Sequence, residues 1–236
     1  MAHSSFPVEI NVFSCGKDFY SQLSCHIASH GFIVVVPQLY EGLLIGFDAD
    51  VDVESAAEIT NWLPEGLQQV LPSQVKANLT KIGLAGHSRG GKAAFSLLLN
   101  RLNTKLNLKF SALIGIDPVD GLDKWKQTQP KVLTYVPHSF DLEIPVMVIG
   151  SGLGEFPIIP IWPFRPCAPE ETTGLIGADT NCMCKSGKTR DPMRIFVGGA
   201  VVTFLKASFD RDFSYLMALK DDKRSPVSLQ TVDFML

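Results

Sequence analysis

Basic residues are too few and too scattered in this chain to hold a polyanion. Lysine and arginine number 21 against 24 acidic residues, the net charge is −3, and the pI is near 5.9. No Lys/Arg cluster with interleaved aromatics occurs, so nucleic acid is excluded as a partner. Long hydrophobic runs are also missing. The clearest, Phe32 to Val36, is cut off by Pro37, short of the ~20 residues a membrane-spanning helix needs, so no integral membrane segment is expected. Residues Met1 to Pro7 have no basic flank, apolar core or arginine, and neither a secretory signal nor a transit peptide is legible. The five cysteines (15, 25, 167, 182 and 184) are an odd number without a secretory signal, which points to free thiols in a reducing compartment. Cys182-Met183-Cys184 with Cys167 lacks both the CxxC spacing and a nearby histidine, so no metal is implied. Repeats and low-complexity tracts are absent.

What is present is a chain built to fold around a core. An apolar share of 46% with 19% charged residues over 236 residues fits one soluble globular domain, read as 1–236. Short apolar runs alternate with helical periodicity, the pattern of an α/β fold with parallel strands and crossover helices on both faces. The expected strands are Ile10–Phe13, Phe32–Val36, Lys81–Ala85, Ser111–Ile116 and Pro145–Ile149. The expected helices are Phe19–Ser29, Val53–Leu71 with a break at Pro64, Gly91–Arg101 and Pro192–Phe209. In the last, Met193, Phe196, Val197, Ala200, Val201, Phe204 and Leu205 make an i, i+3, i+4 stripe, with Asp191 as N-cap. Pro157–Pro169 holds five prolines and reads as an irregular loop, and Glu170–Lys188 reads as a connector.

The chemistry is concentrated in Gly86-His87-Ser88-Arg89-Gly90. This matches G-x-S-x-G between an apolar strand and a helix, the context of a nucleophile elbow. Such a turn forces the serine into strained backbone angles and crowds its neighbours, which demands Gly86 and Gly90. It lifts the Ser88 hydroxyl above the sheet edge and sets the Arg89 N–H, at a helix start, toward a developing oxyanion. The other reading of the motif is a strand–helix turn with no catalytic meaning.

A triad in this order needs an acid and then a histidine. Asp117 and Glu155 each follow an apolar strand and qualify as the acid. No histidine follows His138 in the chain. His138 and His30 each precede a strand, at the wrong edge of the sheet. His26 lies on a helix, His3 in the terminus, and His87 within the elbow itself.

Four stretches together resemble the plant chlorophyllases. They are His26 to Val35, Gly86 to Lys92, Gly115-Ile116-Asp117-Pro118-Val119-Asp120-Gly121, and Cys184-Lys185 through Pro192-Met193-Arg194. The resemblance implies an α/β-hydrolase fold and cleavage of the phytyl ester of chlorophyll to chlorophyllide and phytol, with chlorophyll as the small-molecule substrate and no cofactor. It implies a chloroplast location, with the cytosol or endoplasmic reticulum surface as alternatives. By motif match, Ser88 is the nucleophile, Asp117 the acid, and Arg89 and Gly16 the oxyanion donors. The apolar Pro-rich loop, with Trp162 and Phe164, is expected as a substrate rim. The chain departs from the family at residues 1–16, where leading strands are missing, and around 170–181, where the last strand and the loop with the catalytic histidine are missing. The remaining expectations are a generic serine esterase on another hydrophobic ester, or a silent isoform.

Overall fold

The computed structural model describes residues 5–13, 20–39, 48–121, 127–136, 139–140, 142–150, 191–219 and 225–233. Five strands form one sheet: β1 (Ser5–Phe13), β2 (Ile33–Val35), β3 (Lys76–His87), β4 (Ala112–Ile116) and β5 (Val146–Ile149). Their order is β2-β1-β3-β4-β5 and every pairing is parallel. All five expected strands are found. Parallel neighbours need crossovers, supplied here by α1 (Ser21–Ser29), α2 (Asp50–Val70) and α3 (Arg89–Leu98). Two more helices follow, α4 (Asp191–Asp210) and α5 (Ser214–Ala218), the latter too short to leave a periodic signal.

Alternation along the strands makes two cores. Val8, Ile10, Ile82, Leu84 and Leu113 face α2 and α3, where they meet Val53, Leu63, Leu67, Phe95 and Leu97. Ala85, Ala112, Ile114, Ile116 and Ile149 face the other way, toward Ile27 of α1 and Val197, Val201 and Leu205 of α4. Each fully buried Leu or Ile contributes roughly 1.5–3 kcal/mol of hydrophobic transfer. The arrangement is an α/β-hydrolase sheet covered on both faces.

Two expectations need correction. Helix α2 runs through Pro64 without a break, because the apolar stripe on both sides of it (Val53, Ala56, Leu63 and Leu67) is buried against the same surface and holds the two halves in line. Asp191 is the first residue of α4 rather than its cap. Helix α4 is long and apolar enough to cross a membrane by length and composition alone. Its stripe is instead buried on the sheet, so the helix serves as a core element.

One strand carries polar groups where the others carry apolar ones. Glu9 and Asn11 of β1 are fully or almost fully buried, and among the described residues no other side chain or backbone group hydrogen-bonds to either. Glu9 packs near Gly83, beside Leu205 and Phe209 of α4. Burial pushes its carboxyl up to about 8, and the neighbouring Asn11 amide opposes this only in part.

Candidate active site

Strand β3 delivers Ser88 to the sheet edge. Ser88 takes φ +54° and ψ −124°, outside the regions an L-residue prefers, and α3 starts at the next residue. The turn is tight enough that a Cβ on Gly86 would come within 2.3 Å of the Gly90 carbonyl oxygen, so glycine is sterically required at 86. A second close approach, at Gly91, has no counterpart among the expected glycines. Gly91 faces Pro118, and a Cβ there would approach the proline ring to 2.8 Å. The Gly-Gly after the serine was the available signal.

Register places the acid beside the serine. His87 pairs with Ile116, so the residues that follow, Ser88 and Asp117, emerge together from neighbouring strand ends. The Ser88 N–H donates to the Ile116 carbonyl at 3.0 Å, and the Val119 N–H donates back to the Ser88 carbonyl at 3.2 Å. Asp117 is buried, has φ +43°, and donates its N–H to Ile149 of β5 at 2.8 Å. Two adjacent residues with left-handed backbone angles at one sheet edge indicate stored strain of the kind found at reactive sites.

The rest of the elbow is braced by contacts the sequence did not announce. His87 points away to the α1 face, where its Nδ1 lies 2.7 Å from the hydroxyl of the buried Tyr20. Burial pulls the His87 imidazole down to about 4, so it is neutral at physiological pH. Arg89 opens α3, and its N–H is one of those a helix does not use itself. Its side chain reaches back to α2, where Nε donates to Asp52 at 2.5 Å. Burial raises the Asp52 carboxyl, and Arg89 acts against that rise.

Deeper in α3, the buried Lys92 ammonium donates to the Thr128 carbonyl and hydroxyl, both at 2.7 Å, and lies 3.1 Å from the Asp120 carboxylate. Asp120 also accepts from the N–H groups of Val132 and Leu133 and from Gln127. Burial lowers the Lys92 pKa, while Asp120, Asp48 and Asp50 oppose the shift. The segment after Asp117 is therefore clamped to the elbow helix.

Among the described residues, no hydrogen bond reaches the Ser88 hydroxyl from a histidine. Gly16, Glu155, Trp162, Phe164, His3 and His138 lie outside the described residues, as do the Pro-rich loop, the 170–188 connector and every cysteine except Cys25.

A family model described as Chlorophyllase matches this chain in two stretches, residues 3–174 and 170–236. The break between them falls where the sequence analysis places missing residues. Chlorophyllase-2 of Arabidopsis thaliana is 45% identical over 250 aligned residues, which cover 92% of this chain and 77% of the relative. That alignment is longer than the 236-residue chain, so the relative has residues without a counterpart here. A protein named Chlorophyllase-1, chloroplastic, from Citrus unshiu is 38% identical and covers 94% of this chain and 74% of itself. Among solved structures, esterase B from Lactobacillus rhamnosis is 18% identical with a TM-score of 0.42, over 50% of this chain and 39% of that one. The carboxylesterase Cest-2923 from Lactobacillus plantarum has a TM-score of 0.39 over half of this chain.

Proposed function

Because this chain belongs to the chlorophyllase family, whose members are carboxylic ester hydrolases, we propose that its substrate is the phytyl ester of chlorophyll and its nucleophile Ser88. The observation that carries the residue assignment is the left-handed elbow at Ser88, hydrogen-bonded to the strand end that presents Asp117. The Ser88 oxygen attacks the ester carbonyl, and the Arg89 N–H, with Gly16 as the second donor, receives the charge that develops on the carbonyl oxygen. Phytol leaves, the chlorophyllide acyl group stays on Ser88, and water releases it. Asp117 is the acid that would orient the base. Trp162 and Phe164 are assigned to an apolar rim for the phytyl and porphyrin surfaces, and the chloroplast is the proposed location, in line with the names of the Citrus relatives.

One step has no agent in this sequence. A serine hydroxyl is a weak nucleophile until a base takes its proton, and of the five histidines only His138, which in the sequence precedes a strand rather than following one, comes after the acid. His87, adjacent to the serine, is directed to Tyr20 instead. Loss of the base in a triad costs on the order of 10⁶ in kcat in a well-studied protease. The same gap supports a second reading, that of an isoform that binds chlorophyll without turning it over.

The test is chlorophyllide release by the recombinant chain beside that of Arabidopsis Chlorophyllase-2, with short acyl esters as competing substrates and an active-site serine probe. Turnover on chlorophyll at least 10³-fold below that of the relative, with slow labelling that Ser88→Ala abolishes, is the expected result. Turnover within about tenfold would sink the missing-base argument. Preference for short acyl esters would replace chlorophyll with another hydrophobic ester.

A further inference from the structure

Helix α1 ends with two histidines four residues apart, His26 within the helix and His30 as its C-cap. Residues at i and i+4 share a helix face, and both side chains are exposed. Their ring centroids are 4.6 Å apart with an interplanar angle of 58°. An imidazole nitrogen holds zinc at ~2.0–2.1 Å, which places the metal roughly 3.2 Å from the ring centre, so two rings sharing one ion at ~90–110° have centres about 4.5–5.2 Å apart. The observed spacing falls in that range.

Two further contacts prepare the pair. The Nδ1 of His30 is 2.8 Å from the His26 carbonyl oxygen, so Nδ1 carries the proton that is donated and Nε2 keeps its lone pair. A metal-binding histidine is commonly oriented in this way, by donating its other N–H to a backbone carbonyl. Ser29 Oγ donates to the same carbonyl at 2.7 Å and lies 3.3 Å from His30 Nδ1, which reinforces the turn. The Cδ2 edge of His26 rests on Gly198 of α4, where a Cβ would come within 2.8 Å of it. The missing side chain at 198 gives the ring its place.

We propose that His26 and His30 form a bidentate surface site for a borderline divalent transition metal, of the class of Zn²⁺, Ni²⁺ or Cu²⁺, separate from Ser88. Nitrogen-only donors exclude the hard cations Mg²⁺ and Ca²⁺, which take oxygen ligands. Among the described residues, no third His, Cys, Asp or Glu joins the pair, so water completes the coordination and the affinity is below that of a four-ligand structural zinc site. Chelation requires the helical spacing and therefore stabilises the C-terminal turn of α1. That helix begins beside Tyr20, which braces the elbow through His87.

The experiment uses the untagged full chain with ¹³C-labelled histidine rings, titrated with ZnCl₂ and, as a control, MgCl₂. The five ring signals are assigned with His26→Gln, His30→Gln and the corresponding single variants of the other histidines. The expected result is that the His26 and His30 signals move together on one zinc saturation curve and ignore magnesium, and that either variant weakens the partner's response at least tenfold. Zinc should also raise Tm in the parent chain but not in His30→Gln. Signals that do not move, or a His26 response unchanged by His30→Gln, would overturn the site. His30 is exposed at the helix end, so its variant keeps the test decisive even where His26→Gln is poorly folded.

Discussion

Lys92 with Asp120 and Glu9 with Asn11 are two buried polar pairs in one fold, and they are treated in opposite ways. The Lys92 ammonium has a carboxylate, two carbonyls and a hydroxyl around it, and Asp120 gathers the N–H groups of the segment behind Asp117. Glu9 and Asn11 lie on an apolar face under α4, and among the described residues no outside group matches their side-chain atoms. Burial without partners costs free energy, whereas burial with a full set of partners fixes a conformation. The β3–α3–β4 unit, which holds Ser88 and Asp117, is thus the rigid part of the sheet. Strand β1, which leads toward Gly16, is the weak part.

Breaking the satisfied pair should have the largest effect. Asp120→Ala leaves the Lys92 charge buried without its counter-ion and should destabilise the chain by ~3–5 kcal/mol in urea denaturation, with the loop carrying Asp117 loosened. A loss below about 1 kcal/mol would mean that Thr128 alone holds the lysine. The unsatisfied pair should respond in the reverse direction. Glu9→Leu should stabilise by ~1–3 kcal/mol, since it removes an uncompensated polar group from an apolar site.

The pH dependence separates the two pairs further. Glu9 has a folded-state pKa of about 8 against 4.5 in the unfolded chain, so its contribution to stability is complete below the lower value and is lost as pH rises through the higher one. Urea midpoints measured from acid to mildly alkaline pH should therefore fall, and Glu9→Gln should flatten that slope. A slope unchanged in the variant would assign it to another group. The smallest effect belongs to the elbow: Ser88→Gly relieves the left-handed backbone and should stabilise by about 1 kcal/mol while removing the hydroxyl that we assign to catalysis.

Much of this was legible before folding, and the reasons differ by element. The five strands could be read because strands buried on both faces are continuous apolar runs bounded by turn residues. The elbow could be read because its geometry tolerates only glycine at 86, a constraint written directly in residue type. Helix α2 was misread at Pro64, because local propensity says nothing of the surface against which the two halves are buried. Tyr20 with His87, Arg89 with Asp52, and Lys92 with Asp120 join residues 67, 37 and 28 positions apart, and no local pattern links such partners.

The chain by itself determined the kind of fold, the position of the strained serine, and the absence of a histidine after His138, because each follows from residue identity over a few neighbouring positions. Only the tertiary structure decided that Asp117 emerges beside Ser88, that His87 is turned away from it, and that Glu9 is enclosed while Asp120 is matched. Those outcomes depend on strand register and on which helix covers which face, and register is set by the packing of the whole sheet rather than by any one segment.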